Sequence, residues 1–378
     1  METDLFSYPT PFTPPTTEED ELPVLRLIRS RRVGPTTFHR LIGEHGSAAA
    51  ALAALPEVAR AAGVADYTPC PEKQARAEIK AGKAAGAQLL IHGGPGYPAA
   101  LAEIDDAPPV LWALGQQELL TRPMIALVGA RNASSLGLRM AKRLSEGLGE
   151  AGICVVSGLA RGIDAAAHEA ALPTGTIAVQ AGGIDVIYPQ ENTALAQQMA
   201  ETGLRLTEAP PGTQPQARHF PARNRIISGL SAGVVVVEAA LKSGSLITAR
   251  DALDQGREVM AVPGHPMDGR AGGCNALIRD GATLVRGSED VLAALNARAA
   301  PPEPRPAPPP PPTPAPRAVK SGDLSAKILE RLGPSPTAED QVIRDLDVPA
   351  AAFSQALTAL EIEGRIERHR GGLISRPL

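Results

Sequence analysis

The sequence predicts an α/β protein built on a doubly wound parallel sheet, preceded by a small helical module and followed by a winged-helix-like module. Three observations predict it. Short β-branched runs alternate with helical stretches from Met124 to Val285, the pattern of strands joined by crossover helices. Between Ala300 and Arg317 the composition collapses to Pro and Ala, which marks a semi-rigid polyproline spacer reaching roughly 50 Å at about 3.1 Å per residue. Beyond the spacer, three short helical stretches and a glycine hairpin follow.

The elements follow in chain order. Residues 1–20 are rich in Pro, Thr and Glu and read as a disordered tail. Residues 21–75 form the helical module. Within it Arg31-Arg32-Val33-Gly34-Pro35-Thr36-Thr37 sits between apolar Leu25-Leu27-Ile28 and Phe38-Leu41-Ile42. It looks like a helix-hairpin-helix turn able to hold a phosphate; a plain bundle with a solvated basic edge reads equally well. The large domain spans 76–299, reached through a connecting helix over Lys73–Ala87, with strands at Leu89–Ile91 and Val110–Leu114, where Trp112 reads as core. Strands follow at Met124–Val128, Ile153–Val156, Thr176–Ala181, Leu204–Thr207, Val234–Val237, Val259–Val262 and Thr283–Val285. The intervening helices are placed at Leu136–Leu148, from Asp164, at Glu191–Thr202, from Arg223, at Leu246–Gln255 and at Asn275–Arg279. After the linker at 300–320, the domain at 321–378 has helices at Leu324–Leu332, Thr337–Leu346 and Pro349–Glu363 and a Gly371-Gly372 hairpin. Such a domain grips either DNA or a protein partner; Asp340, Asp345 and Asp347 on its second helix disfavour groove binding.

Composition narrows the function classes. With 378 residues there is room for several domains. A formal charge of −4 argues against a uniformly basic nucleic-acid coat but leaves a local basic groove open. Cys70, Cys154 and Cys274 are widely separated and form no CxxC pair, so neither a zinc site nor a disulfide framework is expected. The acidic N-terminus and the interrupted apolar run Ala232–Leu241 predict a soluble, cytoplasmic chain with no membrane partner.

The chemistry is concentrated in turns at strand ends. Gly129-Ala130-Arg131-Asn132-Ala133-Ser134 lacks the further glycines of the dinucleotide fingerprint, because Arg131 and Ser134 stand where they belong. Arg131 there suits a phosphate. Ser157-Gly158 and Arg161-Gly162, ahead of an alanine-rich helix, form a second anion-friendly turn. In Arg218-His219-Phe220-Pro221-Ala222-Arg223-Asn224-Arg225 three arginines flank one ring, as in a track that holds a single strand by its backbone while a base stacks. The alternative is that Phe220 plugs the core and the arginines pair with Glu208 and Glu238. Lys242-Ser243-Gly244-Ser245 is a hydroxyl-rich anion turn or a plain helix cap. Asp164, His168 and Asp185 are the acid–base candidates; Asp164 reads better as a helix cap, with His168 on the same face. No cofactor is expected.

Taken together, Val128-Gly129-Ala130-Arg131, Ser157 to Asp164, Tyr188-Pro189, Phe220 to Ser231, Ser243 to Ala249 and Val262-Pro263-Gly264 resemble the DNA-processing protein A (DprA, or Smf) family. The resemblance implies a SAM-like helical domain, an extended Rossmann-like domain without enzymatic activity, and a winged-helix tail. It further implies a homodimer that binds and shields single-stranded DNA during natural transformation and helps to load RecA. Its DNA pocket would take Arg131, Phe220 as the stacking ring, and Arg161, Arg223 and Lys242 as phosphate partners. Ala217, Arg218 and His219 stand where some members carry a lysine. Asn275, Leu277 and Ile278 would form the dimer face. Two other readings are a phosphoribohydrolase-like enzyme, in which Ile247 replaces a needed glycine and Asp251 is the nearest acid, and a scaffold that binds no nucleic acid.

Overall fold

The computed structural model describes residues 18–299, 321–332, 337–346, 348–369 and 373–377. The N-terminal tail to residue 17, the Pro/Ala linker, Asp347 and Gly371-Gly372 lie outside the described residues. The chain divides into two compact units, Met1–Pro301 and Pro302–Leu378.

The first unit opens with α1 (Glu18–Ile28), α2 (Pro35–His45), α3 (Ala48–Ala61) and α4 (Glu72–Ala84). The first helix takes in Glu18–Asp20, three residues of the expected tail, because Leu22, Leu25 and Leu27 behind them bury against α3 and α4. Their core includes Phe38, Leu41, Ala75 and Ile79 and extends onto Ile91 and Val110 of the sheet. Helix α4 therefore straddles the expected boundary at 75/76, with Ala75 and Ile79 both on the helical module's core. Trp112 is fully buried and donates its indole N–H to Glu78 at 3.1 Å.

The rest of the unit runs β1 (Gln88–Ile91), α5 (Ala99–Ala102), β2 (Val110–Gly115), β3 (Met124–Gly129), α6 (Ser135–Glu150), β4 (Cys154–Ser157), α7 (Ile163–Ala171), β5 (Thr176–Val179), α8 (Thr193–Thr202), β6 (Leu204–Thr207), α9 (His219–Leu230), β7 (Gly233–Glu238), α10 (Ser245–Asp254), β8 (Glu258–Ala261), α11 (Gly272–Arg279), β9 (Thr283–Leu284) and α12 (Ser288–Ala299). The strands form one sheet in the order β1-β2-β6-β5-β4-β3-β7-β8-β9. Seven of them pair in parallel; the added edge differs from an all-parallel sheet, since β2 runs antiparallel to both β1 and β6. Alternate residues serve opposite faces. Ala126, Val128, Val234 and Val236 pack under α9, α10 and α11. Ile125, Leu127, Val155 and Val235 pack under α6, α7 and α12. Helix α12, an element additional to those the sequence pattern predicts, closes that second face with Val291.

The second unit contains α13 (Ser321–Arg331), β10 (Thr337–Ala338), α14 (Glu339–Leu346), α15 (Ala350–Ile362), β11 (Glu367–His369) and β12 (Leu373–Ser375). Thr337–Ala338 is a strand rather than the start of a helix, paired with Leu373 and Ile374 of the hairpin. Leu324, Ile328, Phe353, Leu357 and Ile374 form its core.

Close packing at the helical module gives a test whose sign is informative. A Cβ at Gly82 would overlap the Trp112 ring, although alanine favours a helix interior by about 0.8–1 kcal/mol. Gly82→Ala should therefore destabilise the chain, by about 1–3 kcal/mol for overpacking, in urea unfolding.

Candidate nucleic-acid interface

The winding reverses at β3: β4, β5 and β6 lie on one side of it and β7, β8 and β9 on the other. The connections leaving the carboxyl ends of β3 and β7 diverge there and open a crevice, the place where open α/β sheets bind ligands.

At two turns of this crevice the backbone amides are filled from within. Glu238, the last residue of β7, is buried and accepts from the Ser134 amide at 2.9 Å and from the Ser134 hydroxyl. That hydroxyl in turn accepts from the Gly137 amide at 3.0 Å, capping α6. At α7 the buried Asp164 carboxylate accepts from the amides of Gly158 at 3.1 Å and Ala160 at 3.4 Å. Backbone amides of this kind hold phosphates in nucleotide-binding sheets; here the chain's own carboxylates hold them. Ser134 and the Gly158 amide, expected to face DNA, are thus engaged internally, as is Ser157, whose buried hydroxyl donates to Leu127 O at 2.6 Å.

The glycines serve close approach within the protein instead of an open anion cradle. A Cβ at Gly129 would meet the Ile163 side chain, one at Gly158 would overlap the Arg223 guanidinium, and one at Gly162, whose φ is +75°, would strike the Ala130 carbonyl. Between them Leu159 takes a positive φ of 54°, a strained conformation for a branched side chain. Its amide donates to His168 Nε2 at 3.3 Å and its carbonyl accepts from Asn192 Nδ2 at 2.9 Å. His168 Nδ1 lies 2.7 Å from Thr176 Oγ1, which itself donates to Val155 O. The imidazole is therefore neutral, with its proton on Nδ1. It braces the turn and does not pair with Asp164. Asp185 is likewise engaged, accepting from the Gly212 amide at 2.7 Å.

What remains open is a pocket of about 370 Å³ lined by Arg131, Arg161, Gln180, Tyr188, Phe220 and Arg223, among others. Phe220 is half-buried at its mouth. The Arg131 guanidinium stands 4.8 Å from the Phe220 ring centroid, within cation–π range, and the Tyr188 ring lies 5.8 Å away, tilted by 49°. Tyr188 is 50% exposed, a second ring that the sequence reading noted only as part of a motif. An adjoining concavity of about 600 Å³ shares Arg131 and Phe220 and adds Asn224, Lys242, Ser243 and Arg270. Lys242 and Gly244 are exposed there. Ser243 and Ser245 hydrogen-bond each other at 2.6 Å, and the Ser245 amide approaches Ser243 Oγ at 3.4 Å; the N-cap of α10 is Gly244, so no side chain caps that helix.

The three arginines of the basic stretch have separate fates, because α9 begins at His219 and not at Arg223. Arg218 is exposed ahead of the helix, within 3.4 Å of His219, whose Nδ1 accepts from the Gln216 amide. Arg223 is buried under Gly158, donates to Val179 O at 2.9 Å and leaves Nε without a partner. Burial lowers its pKa to about 10, against the pull of Asp164 and with the push of Arg131. Burial also raises the Asp164 pKa, opposed first by Arg223. Arg225 points away from the pocket, to Glu208 at 2.5 Å and Asp106 at 3.4 Å; here the internal-pairing alternative prevails. Arg161 stays exposed but pairs with Glu191 at 2.5 Å. The expected dimer residues are half-buried: Asn275 bonds Gly264 through both amide atoms at 3.1 and 3.0 Å, and Leu277 and Ile278 pack against the main core while keeping part of their surface exposed.

Residues 88–296 match the family described as DNA recombination-mediator protein A. The chain belongs to that family. Its N-terminal residues 18–81 match the DprA-like N-terminal HHH domain and residues 301–372 the DprA winged helix domain. It is 49% identical over 199 residues to the DNA processing protein DprA of Streptococcus pneumoniae, covering 52% of this chain and 70% of that one. With the DNA processing protein DprA of Bacillus subtilis it shares 48% over 205 residues, covering 53% and 69%. Among solved structures, S. pneumoniae DprA superposes with a TM-score of 0.57 at 37% identity over 73% of this chain and 93% of that one. Helicobacter pylori DNA processing protein A, described for its single-stranded DNA binding mode, gives 0.52 at 30% identity over 57% and 98%. The protein is thus a DNA-processing protein of the DprA family, and among its described residues no helix is long and apolar enough to cross a membrane.

Bracing of the Leu159 turn predicts a pH dependence. Burial, with Arg223 adding to it, pushes the His168 pKa from 6.5 down to about 3. The unfolded chain therefore binds the proton more readily, so the stabilisation is complete above pH 6.5 and is lost as pH falls toward 3. In urea unfolding, His168→Gln should lose stability less steeply than the parent below about pH 6, the difference approaching about 1.4 kcal/mol per pH unit.

Proposed function

We propose that this chain is a single-stranded DNA-binding recombination mediator, with the strand entering the pocket between Arg131, Phe220 and Tyr188. The observation that carries this reading is the combination at the switch point of occupied amides and unoccupied side chains. Glu238 and Asp164 take the donors that a nucleotide diphosphate would need. Left facing solvent are ring faces and cations: Phe220, Tyr188, Arg131 and Lys242. Rings accept any base by stacking and cations follow phosphates, which is the chemistry of sequence-tolerant strand binding. Within this reading Arg223 sets the floor of the pocket and stiffens its wall, while Arg131 and Lys242 carry the phosphates.

The H. pylori relative, described for single-stranded DNA binding, supports the ligand. Shielding of incoming DNA, assistance to RecA, a homodimer and a cytoplasmic place follow from the family resemblance and complete the proposal. Catalysis is assigned to no residue: His168 and Asp185 are held in internal hydrogen bonds. Asp251, the acid that a phosphoribohydrolase would need near the Ser243 turn, has its pKa raised by burial and by the neighbouring Asp106 and Asp254.

A salt titration of the full chain with single-stranded and duplex oligonucleotides tests the proposal; equal or stronger duplex binding, or release of free base from nucleoside monophosphates, would overturn it. Phe220→Ala should weaken single-strand binding by about 1–3 kcal/mol without unfolding the protein, since the ring is only half-buried. Arg131→Ala should lower affinity and make the salt dependence shallower by about 0.7 in log–log slope, the loss of one phosphate contact.

A further inference from the structure

Arg131 and Asn132 border not two concavities but three. The third, of about 670 Å³, is an open groove between α6 and α7. Helix α6 lines it with Ser135, Arg139 and Lys142, positions that share one helical face over about 10 Å. Gly162 ahead of α7 and Ala165 and Ala166 within it form a floor small enough to leave the groove open, with Glu169 at its rim. Arg139 is exposed and has no ion-pair or hydrogen-bond partner among the described residues. Lys142 stands 3.0 Å from Glu169, each about half exposed. Three cations therefore face one acid along a channel that begins at the same arginine that covers the Phe220 ring. The acids of α6 itself, Glu146 and Glu150, stand in its C-terminal part.

We propose that this groove is a second phosphate track: a single strand seated at Phe220 continues past Arg131 between α6 and α7, with phosphates on Arg139 and Lys142. The inference rests on the strand-binding reading of the pocket. A groove with cations and no ring offers charge without stacking, so it contributes only to ligands long enough to reach it, and its contribution is screened by salt. Glu169 tempers it by holding Lys142 in an exposed pair.

The test compares the full chain with Arg139→Gln/Lys142→Gln, which keeps the helix-forming stems, on oligothymidylates of about 5 and about 15 nucleotides, near the two ends of the known site-size range. The longer oligomer should bind the double variant roughly fourfold more weakly, about twofold per exposed charge contact. Its log–log salt slope should become shallower by about 1.4, for two phosphates. The shorter oligomer should bind both proteins alike. Glu169→Gln, which frees Lys142, should tighten the longer oligomer about twofold. Unchanged affinity and slope for the longer oligomer, or equal weakening at both lengths, overturns the track. If Phe220→Ala weakens both lengths while the double variant weakens neither, the groove alone falls; if Phe220→Ala also weakens neither, the pocket reading falls with it.

Discussion

Two buried carboxylates organise the crevice. Glu238 and Asp164 each satisfy first-turn or pre-helix amides that would otherwise attract an external anion. Burying a carboxylate is costly unless it is hydrogen-bonded or paired, and each of these is. Asp164 also has the buried Arg223 as a neighbouring charge, so the two stabilise one another's charged forms against burial. From this follows the shape of everything nearby: Gly158 bare because Arg223 lies on it, Gly162 bare because the Arg131 turn lies on it, and Leu159 strained between. The Arg131 turn is held from two sides, by Glu238 through Ser134 and by the Ile163 amide bonded to Ala130 O at 3.2 Å. Arg131 is thereby presented from a rigid turn, with its guanidinium over the Phe220 ring and no acidic partner among the described residues.

Most of the fold was legible in the sequence because β-branched runs and glycine turns recur at intervals that only a crossover topology satisfies. The antiparallel edge was not legible: β1 and β2 are short apolar runs whose direction depends on how the helical module packs against Ile91 and Val110. The basic stretch was legible as a site but not in its detail. Read as a track running into a helix from Arg223, Arg218, Arg223 and Arg225 all follow one strand. In a helix starting at His219 successive residues turn by about 100°, so Phe220 and Arg223 share a face while Arg225 lies about 200° from Arg223, on the other side. A proline at Pro221, in the first turn of α9, is the signal that was available, since proline is favoured at a helix start.

Arg225 turning away has its own structural consequence. It meets Glu208, a carboxylate whose pKa burial raises and Arg225 opposes. The Glu208 carbonyl accepts from Arg29 of the helical module at 2.9 Å. Arg29 in turn pairs with Glu78 at 2.8 Å, and Glu78 also accepts from Trp112. A chain of polar contacts thus joins Arg29, two residues before Arg31, to the back of α9, the helix that carries Phe220. The arginine that left the pocket fixes the pocket's ring-bearing helix against the N-terminal module.

Charge distribution explains how an acidic chain can hold a polyanion. The formal charge of −4 is a sum over surfaces, whereas affinity for a strand depends on the few cations within a Debye length of its phosphates. Around the switch point the acids face inward, Glu238 and Asp164 onto amides, and the exposed acids Glu191 and Glu169 are each matched to a cation, Arg161 and Lys142. Arg131, Lys242 and Arg139 are left without acidic partners among the described residues. Turning acids inward at one edge of the sheet makes that edge basic without adding a single lysine or arginine to the composition.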